Sequence, residues 1–470
     1  MPLMLGALAL TGYVSLSAGW GYDDPYITFR YAGNLLGGHG LVYNAGERTL
    51  STTTPLFAIL LAGLGRIWPD LPALGRGLSL ASLLAGSAIV ALWPRGEGVQ
   101  NEGAGLLAGL LLSLSPPLLS TTGSEMCLYV GLVLGGLLAY GRSRWLVAAG
   151  LLALAAMLRP DGLIAGVVVG MLHLIRRRPL PWRAVLLYAA LVAAWYAGLW
   201  LYYGWPLPVT LLAKQQQARM EGGAGFLSGF LALVRQYSRQ PAYWAGAALA
   251  LVGARRVAAA RGARHWLPLM GWTALTIAGY TAVGVSRYFW YYALMAPAAA
   301  VLVAEGTADL IRGLGRVRLP RWTRQGLAAL LLAGLTAPLV SGLAPMAWRS
   351  DPRLGPYRRA GEWLAAHTPP EASVGALEVG IIGYYAERPM VDFAGLIQPQ
   401  IARRLAAAGT YQGSAEWAIR TYRPDYVVLY PEAFPGLVAG QEFRSAYVPT
   451  RTFASQESWW LTVYRRGEDR

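Results

Sequence analysis

"GYDDPYITFRYAGNLLGGHGLVYNAGER", Gly21–Arg48, places two aspartates, an arginine and several glycines directly after an apolar N-terminal segment, "LMLGALALTGYVSLSAGW". A charged cluster at the exit of a hydrophobic helix reads as a loop at the face of a bilayer, and the rest of the chain agrees. Of 470 residues, 55% are hydrophobic and only 14% charged, which argues against a single water-soluble globule. Apolar runs suited to a core roughly 30 Å thick recur near 3–19, 74–93, 103–119, 127–140, 145–158, 162–175, 184–203, 241–254, 266–285, 288–304 and 325–343. Another, Pro55–Trp68, is short enough to be re-entrant or interfacial. The expectation is a polytopic α-helical membrane protein of about eleven crossings. The first segment lacks a basic start and is followed by further spans, so it reads as a retained helix and not a cleaved signal.

The formal net charge of +16 comes from 40 basic against 24 acidic residues. Much of the excess lies in short inter-helix loops, "GRSR" at Gly141, "IRRRPLPWR" at Ile175, "ARRVAAARGARH" at Ala254 and "IRGLGRVRLPRWTR" at Ile311. That is the pattern of cytoplasmic loops and not of one nucleic-acid surface. It puts "STTGSE", "RPDG", "GWPLPVTLLAKQQQ" and "VSRYFW" together on the opposite, extracytoplasmic side, with the remainder of the chain. Two regions follow: a membrane domain over 1–344, with its first outer loop at 20–54, and a soluble α/β domain over 345–470. In the latter, "VGAL", "PMVDF", "DYVVLY" and "WWLTVYRR" read as strands and "YRRAGEWLAAH" as a helix. A single cysteine, Cys127, excludes an intramolecular disulfide,.

Within the first loop, Asp24 suits an N-cap, Pro25 the first helical position and Gly37–Gly38 the stop, which predicts a helix of about three turns. That leaves Asp23 without a structural task. Acidic residues beside a bilayer are costly and mark functional sites. The pair could take a proton from a hydroxyl or hold a divalent metal ion, with His39 and Glu47 the nearest further donors. Spacing alone does not separate the two. The Gly- and Thr-rich run "GGHGLVYNAGERTLSTTTPL" is of a kind that holds sugars or phosphates. Lys214 is the chain's single lysine, and a compact ammonium suits phosphate. Arg287, with Tyr288 and Trp290, could grip a lipid phosphate; Glu125 precedes an apolar helix with no compensating charge nearby in sequence. Arg159 and Asp161 read as a helix end and the next cap. Glu378 stands in a Gly-rich turn after a strand, on the same side as the first loop. No phosphate-cradling Gly loop indicates a nucleotide.

Taken together, "DDPYITFRYAGNLLGGHGLVYNAGER", "TTGSEMCLY", "RPDG", "YYGWPLPVTLLAK" and "GEWLAAHTPPEASVGALEVGIIGYYAERPMVDFAG" resemble the membrane-embedded GT-C glycosyltransferases, and within them the mycobacterial terminal arabinofuranosyltransferase family. The resemblance implies an inverting transfer of a sugar, arabinofuranose in that family, from a polyprenyl-phosphate donor to a cell-envelope glycan or glycolipid. It implies that an acid of the Asp23–Asp24 pair is the general base. In related lipid-A and protein O-glycosyltransferases this is the first acid, here Asp23. Arg30 would steady the carboxylates or the donor phosphate, Lys214 and Arg287 would bind that phosphate, and Glu125, His39, Tyr288 and Glu378 would contact donor or acceptor. The sequence departs from the relatives where they show a Gly-Leu-Glu core in place of "TTGSEM" and an Asn-Thr pair in place of "LPVT". A lipid-linked sugar flippase is the rival expectation; it should show repeat symmetry between halves, and none is visible.

Overall fold

The structure, a computed structural model, describes residues 2–16, 21–93, 102–259, 261–316, 320–349, 351–455 and 459–467. The end of the first apolar segment (17–20) and parts of two basic loops (260 and 317–319) lie outside the described residues. Helices stand at every apolar stretch read above, from Pro2–Leu16 and Pro55–Gly65 to Ala296–Gly315 and Arg321–Trp348. Among the described residues, four are long and apolar enough to cross a membrane by length and composition: Leu71–Ala91, Trp182–Tyr203, Phe289–Gly315 and Arg321–Trp348. The other apolar helices are shorter, so the expected number of about eleven crossings rests on helices that span only with help from their neighbours. Trp182–Tyr203 turns Leu186, Trp200 and Leu201 outward, with Leu201 82% exposed, so this face is uncovered among the described residues and suits lipid.

The bundle is drawn tight where small residues let backbones meet. Trp244–Ala259 crosses Ala296–Gly315 with Gly253 against the Leu302 carbonyl and Gly306 against the Leu249 carbonyl, so a Cβ at either would overlap backbone. One residue along, buried Glu305 accepts from Arg256 Nε at 2.8 Å and from Trp266 Nε1 at 3.0 Å. The carboxylate is thereby paired as burial requires.

In the C-terminal domain several helices went unread, among them Val379–Ala386, where a Gly-rich turn was expected, Pro399–Ala408 and Tyr411–Tyr422, and in the membrane domain two did, Val209–Gln217 and Phe226–Ser238. Both lie between long apolar runs and carry too many polar residues to register by hydropathy. The last long helix also runs past the expected boundary at 344/345 to Trp348, with Pro338 and Pro345 inside it.

The C-terminal domain holds a five-stranded mixed sheet in the order β2-β1-β3-β5-β4, with β1 at Val374–Ala376, β2 at Met390–Asp392, β3 at Tyr426–Leu429, β4 at Tyr447–Ala454 and β5 at Trp460–Arg466. Strands β2, β1 and β3 run parallel, while β5 is antiparallel to β3 and to β4. Four strands stand where the apolar runs put them. The fifth, β4, was not foreseen, because "YVPTRTFA" alternates poorly, carries Pro449 and is mostly exposed along an edge,. A helix from Val379 to Ala386 joins β1 to β2. The carboxyl ends of β1 and β2, where ligands gather in such sheets, therefore lie next to its N-terminus.

Replacing Gly306 by Val should cost about 1–3 kcal/mol through overpacking and lower the melting temperature in detergent. Gly313→Ala, on the same helix with open space around it, should leave the melting temperature unchanged or raise it.

Candidate active site

The first loop is bolted to the C-terminal domain through the Val379–Ala386 helix, called here the latch helix. Glu378 occupies the N-cap position of this helix but makes no capping bond. The cap comes instead from Asp23: its Oδ2 accepts from Gly380 N at 2.7 Å and its Oδ1 from Ile381 N at 2.7 Å. An anion here also meets the positive end of the helix dipole. Two turns further along the loop helix Asp24–Leu36, Arg30 serves the other end. It donates to the carbonyls of Gly383 and Arg388, the latter at 2.8 Å, and to the Tyr43 carbonyl at 2.9 Å. Asn44 exchanges two bonds with the backbone of Met390 at the sheet edge, 2.9 and 3.0 Å. Gly380 and Gly383 admit this approach, because a Cβ at either would fall on Asp23 or on the Tyr43 hydroxyl.

The capping role expected of Asp24 therefore falls to Asp23, and on another helix. Asp24 is not a cap: the helix begins at Asp24, no side chain caps that end, and Asp24 Oδ2 instead accepts from Lys214 Nζ at 3.1 Å. The Asp24 side chain keeps 31% exposure, against 6% for Lys214. Lys214 comes from the unforeseen helix Val209–Gln217. Its ammonium lies 5.0 Å from the ring centre of Tyr288, 4.8 Å from Trp290 and 5.9 Å from Tyr291, a cage of π-faces. Burial works against its charge, but Tyr291 and Asp24 outweigh it and hold the ammonium's pKa above its ordinary value.

Asp24 and Lys214 face a narrow cleft of about 40 Å³, room for a few waters, whose lining includes Tyr22, Thr28, Ser51–Thr54, Glu125, Arg159, Thr210 and Trp290. Glu125, unpaired in sequence, is paired in space with Arg159, which also binds Asp161 at 3.0 Å and the Tyr280 hydroxyl at 3.2 Å. Arg159 is thus more than a helix end; its signal in sequence was the lone acid it answers. A larger cavity of about 680 Å³ opens behind Tyr288, between residues 217–224, 286–288 and Thr410–Gln412 of the C-terminal domain.

The remaining expected site residues separate accordingly. Tyr288 lines the larger cavity, its hydroxyl donating to Gln217 Oε1 at 2.7 Å and its ring stacked on Trp290, which lines the cleft. Arg287 is exposed and lines the larger cavity, apart from Lys214. Arg30 is buried against three carbonyls and does not reach the cleft, so its place beside the carboxylates or a phosphate is corrected. His39 is exposed at the far end of the loop helix, about 20 Å from the acids at 1.5 Å per residue. Nor does the donor set fit a divalent ion: both oxygens of Asp23 take backbone N–H groups, Asp24 faces an ammonium, and among the described residues no three His, Cys, Asp or Glu side chains group for a metal. Glu378 lies between the latch helix and the pair; burial, then Asp23 and Asp24, pushes its carboxyl up to about 8. Burial raises Asp23 as well, against the pull of its two backbone donors.

Residues 348–464 match a family described as a domain of unknown function (DUF8728). No curated protein matches the chain. Among solved structures, the chain is similar to ArnT from Cupriavidus metallidurans in the apo state, with a TM-score of 0.66 and 14% identity over 98% of this chain and 97% of that one. The same protein bound to undecaprenyl phosphate gives 0.62 and 13% over the same shares. The Archaeoglobus fulgidus oligosaccharyltransferase in the apo form gives 0.58 and 14% over 91% of this chain and 70% of that one. At these identities the likeness is one of fold, the GT-C fold expected from the first loop.

Folded, Glu378 holds its proton up to about pH 8; unfolded, it releases it near 4.5. Its contribution to stability is therefore fully present below about pH 4.5 and is lost as pH rises towards 8. Glu378→Gln should remove that loss, so the melting temperature of the variant minus that of wild type should grow between pH 5 and pH 8.5.

Proposed function

We propose that this membrane protein of GT-C fold is an inverting glycosyltransferase that moves a sugar from a polyprenyl-phosphate donor to a hydroxyl of a cell-envelope glycan or glycolipid. The observation that carries the reading is the Asp24–Lys214 pair, one partly open carboxylate and one caged ammonium facing the same polar cleft. In the reaction, Asp24 accepts the proton of the acceptor hydroxyl while its oxygen attacks the anomeric carbon. The bond from that carbon to the phosphate oxygen breaks, and the electron pair leaves with the polyprenyl phosphate, whose growing charge Lys214 stabilises. The leaving phosphate carries its own negative charge, so no second, proton-donating carboxyl is needed as it is in glycoside hydrolysis. Asp23, tied to the latch helix, positions Asp24 through the shared backbone.

The fold shared with ArnT, which was solved with undecaprenyl phosphate, supports a polyprenyl-linked donor. The larger cavity, with Arg287 at its wall, is the place for the acceptor. Arabinofuranose is the first sugar to test, on the sequence resemblance given above. The basic-loop distribution supports a multi-pass location with the cleft and the C-terminal domain on the extracytoplasmic side.

Purified protein should transfer label from polyprenyl-phosphoryl sugars to envelope glycans. Asp24→Asn should lower kcat by about 10²–10⁴-fold with little change in KM. Asp23→Asn should act chiefly by lowering the melting temperature. A folded Asp24→Asn protein that turns over at the wild-type rate sinks the base assignment, and lipid movement across liposomes without product would replace the enzyme by a flippase.

A further inference from the structure

Three threonines close one wall of the cleft beside Asp24. Thr28 Oγ1 lies 3.0 Å from Thr52 Oγ1 and 3.3 Å from Thr54 Oγ1, and the latter two are 3.2 Å apart. A hydroxyl has one proton to give and two lone pairs to offer. Three mutual contacts among three hydroxyls use all three protons. Thr52 also accepts from Thr54 N at 3.1 Å, which fills its lone pairs. What the triad has left is one lone pair each on Thr28 and Thr54, an acceptor surface with nothing to donate.

That surface cannot serve phosphate, whose oxygens are acceptors, and it repels a carboxylate. It matches hydroxyl groups that arrive as donors. On the facing helix, Thr210 lines the same cleft and is 4% exposed, and its Oγ1 has no hydrogen-bond partner among the described residues. A buried hydroxyl left unpaired costs stability, so its retention points to a partner that the cleft receives. The two helices are built alike here: Asp24 and Thr28 lie four residues apart on one, Thr210 and Lys214 four apart on the other, each pair on one helix face. Trp290 and Tyr22, stacked at 5.3 Å between ring centres, line the same cleft.

We infer that Thr28, Thr54 and Thr210 form the subsite that reads the hydroxyls of the transferred sugar, and that this sugar is a single neutral ring and not a uronic acid. Lys214 takes the phosphate, the threonines take the ring, and the division follows from donors and acceptors alone. The inference rests on the glycosyltransferase reading for the identity of its occupant, and it requires the cleft, about 40 Å³ as it stands, to widen when a ring enters.

The test uses the full-length protein in detergent with undecaprenyl phosphate, and with the same lipid carrying arabinofuranose, glucose or glucuronic acid. Wild type should bind a neutral sugar lipid more tightly than the bare lipid, and the glucuronyl lipid more weakly. Thr28→Val and Thr210→Val should each weaken the neutral sugar lipid about tenfold, seen as a rise in KM larger than any fall in kcat, with affinity for undecaprenyl phosphate unchanged. Thr210→Val should melt at or above the wild-type temperature, which loss of a structural contact would not produce. Equal weakening of the bare lipid, or no weakening of the sugar lipid in folded variants, overturns the subsite. Selective binding that the variants abolish, with no product from wild type and any of these donors, keeps the subsite and overturns the transferase reading. A wild type that binds none of these lipids overturns both.

Discussion

The site depends on one helix being capped by a residue from the other end of the chain. Asp23 closes the amino end of Val379–Ala386 across a separation of 357 residues, and Arg30 closes its carboxyl end across 353. Each charge sits at the end of the helix dipole that favours it, and each satisfies backbone groups that burial would otherwise leave unpaired. With both ends held, the loop helix cannot turn about its axis. Its rotation is what sets Asp24 against Lys214 and Thr28 against Thr52 and Thr54. Glycine at 380 and 383 is the matching concession on the other side, since any larger residue would push the loop helix away.

Around this fixed edge the charges are arranged in closed groups. Glu125, Arg159 and Asp161 answer one another, and so do Glu305, Arg256 and Asp309. The Asp24–Lys214 pair differs because one partner is open and the other is buried under aromatic rings. An ammonium held by π-faces keeps its position with few hydrogen bonds of its own, which leaves its donors available to an incoming anion. A planar guanidinium would demand a wider slot at the same place.

Much of this was legible in the sequence. The apolar stretches all became helices, four of five strands stood where the hydrophobic runs put them, and the first loop did carry the charged groups of the site. The capping role was given to the wrong acid for a definite reason. Capping preference is a local rule, and Asp-Pro at a helix start satisfies it with Asp24; nothing near Asp23 in sequence announces a partner in the last quarter of the chain. Arg30 misled in the same way, a cation beside two acids in sequence that turns to three carbonyls in space, two of them in the C-terminal domain. Glu125 and Arg159 were visible only as halves. The threonines of 51–54 registered as a polar loop, while their mutual bonding, which decides what they can bind, is a matter of geometry that no spacing encodes.

The latch also has a meaning in time. The first loop is made early in synthesis and residues 379–388 late, with the apolar helices of the chain lying between them. No ribosome-bound intermediate short of that point can hold Asp23 or Arg30 in place, and contacts of such long sequence separation form last in any case. The cleft is thus assembled only once residues 379–388 have been made and the C-terminal domain has folded against the loop. A truncated or half-inserted copy would lack the geometry of the cleft.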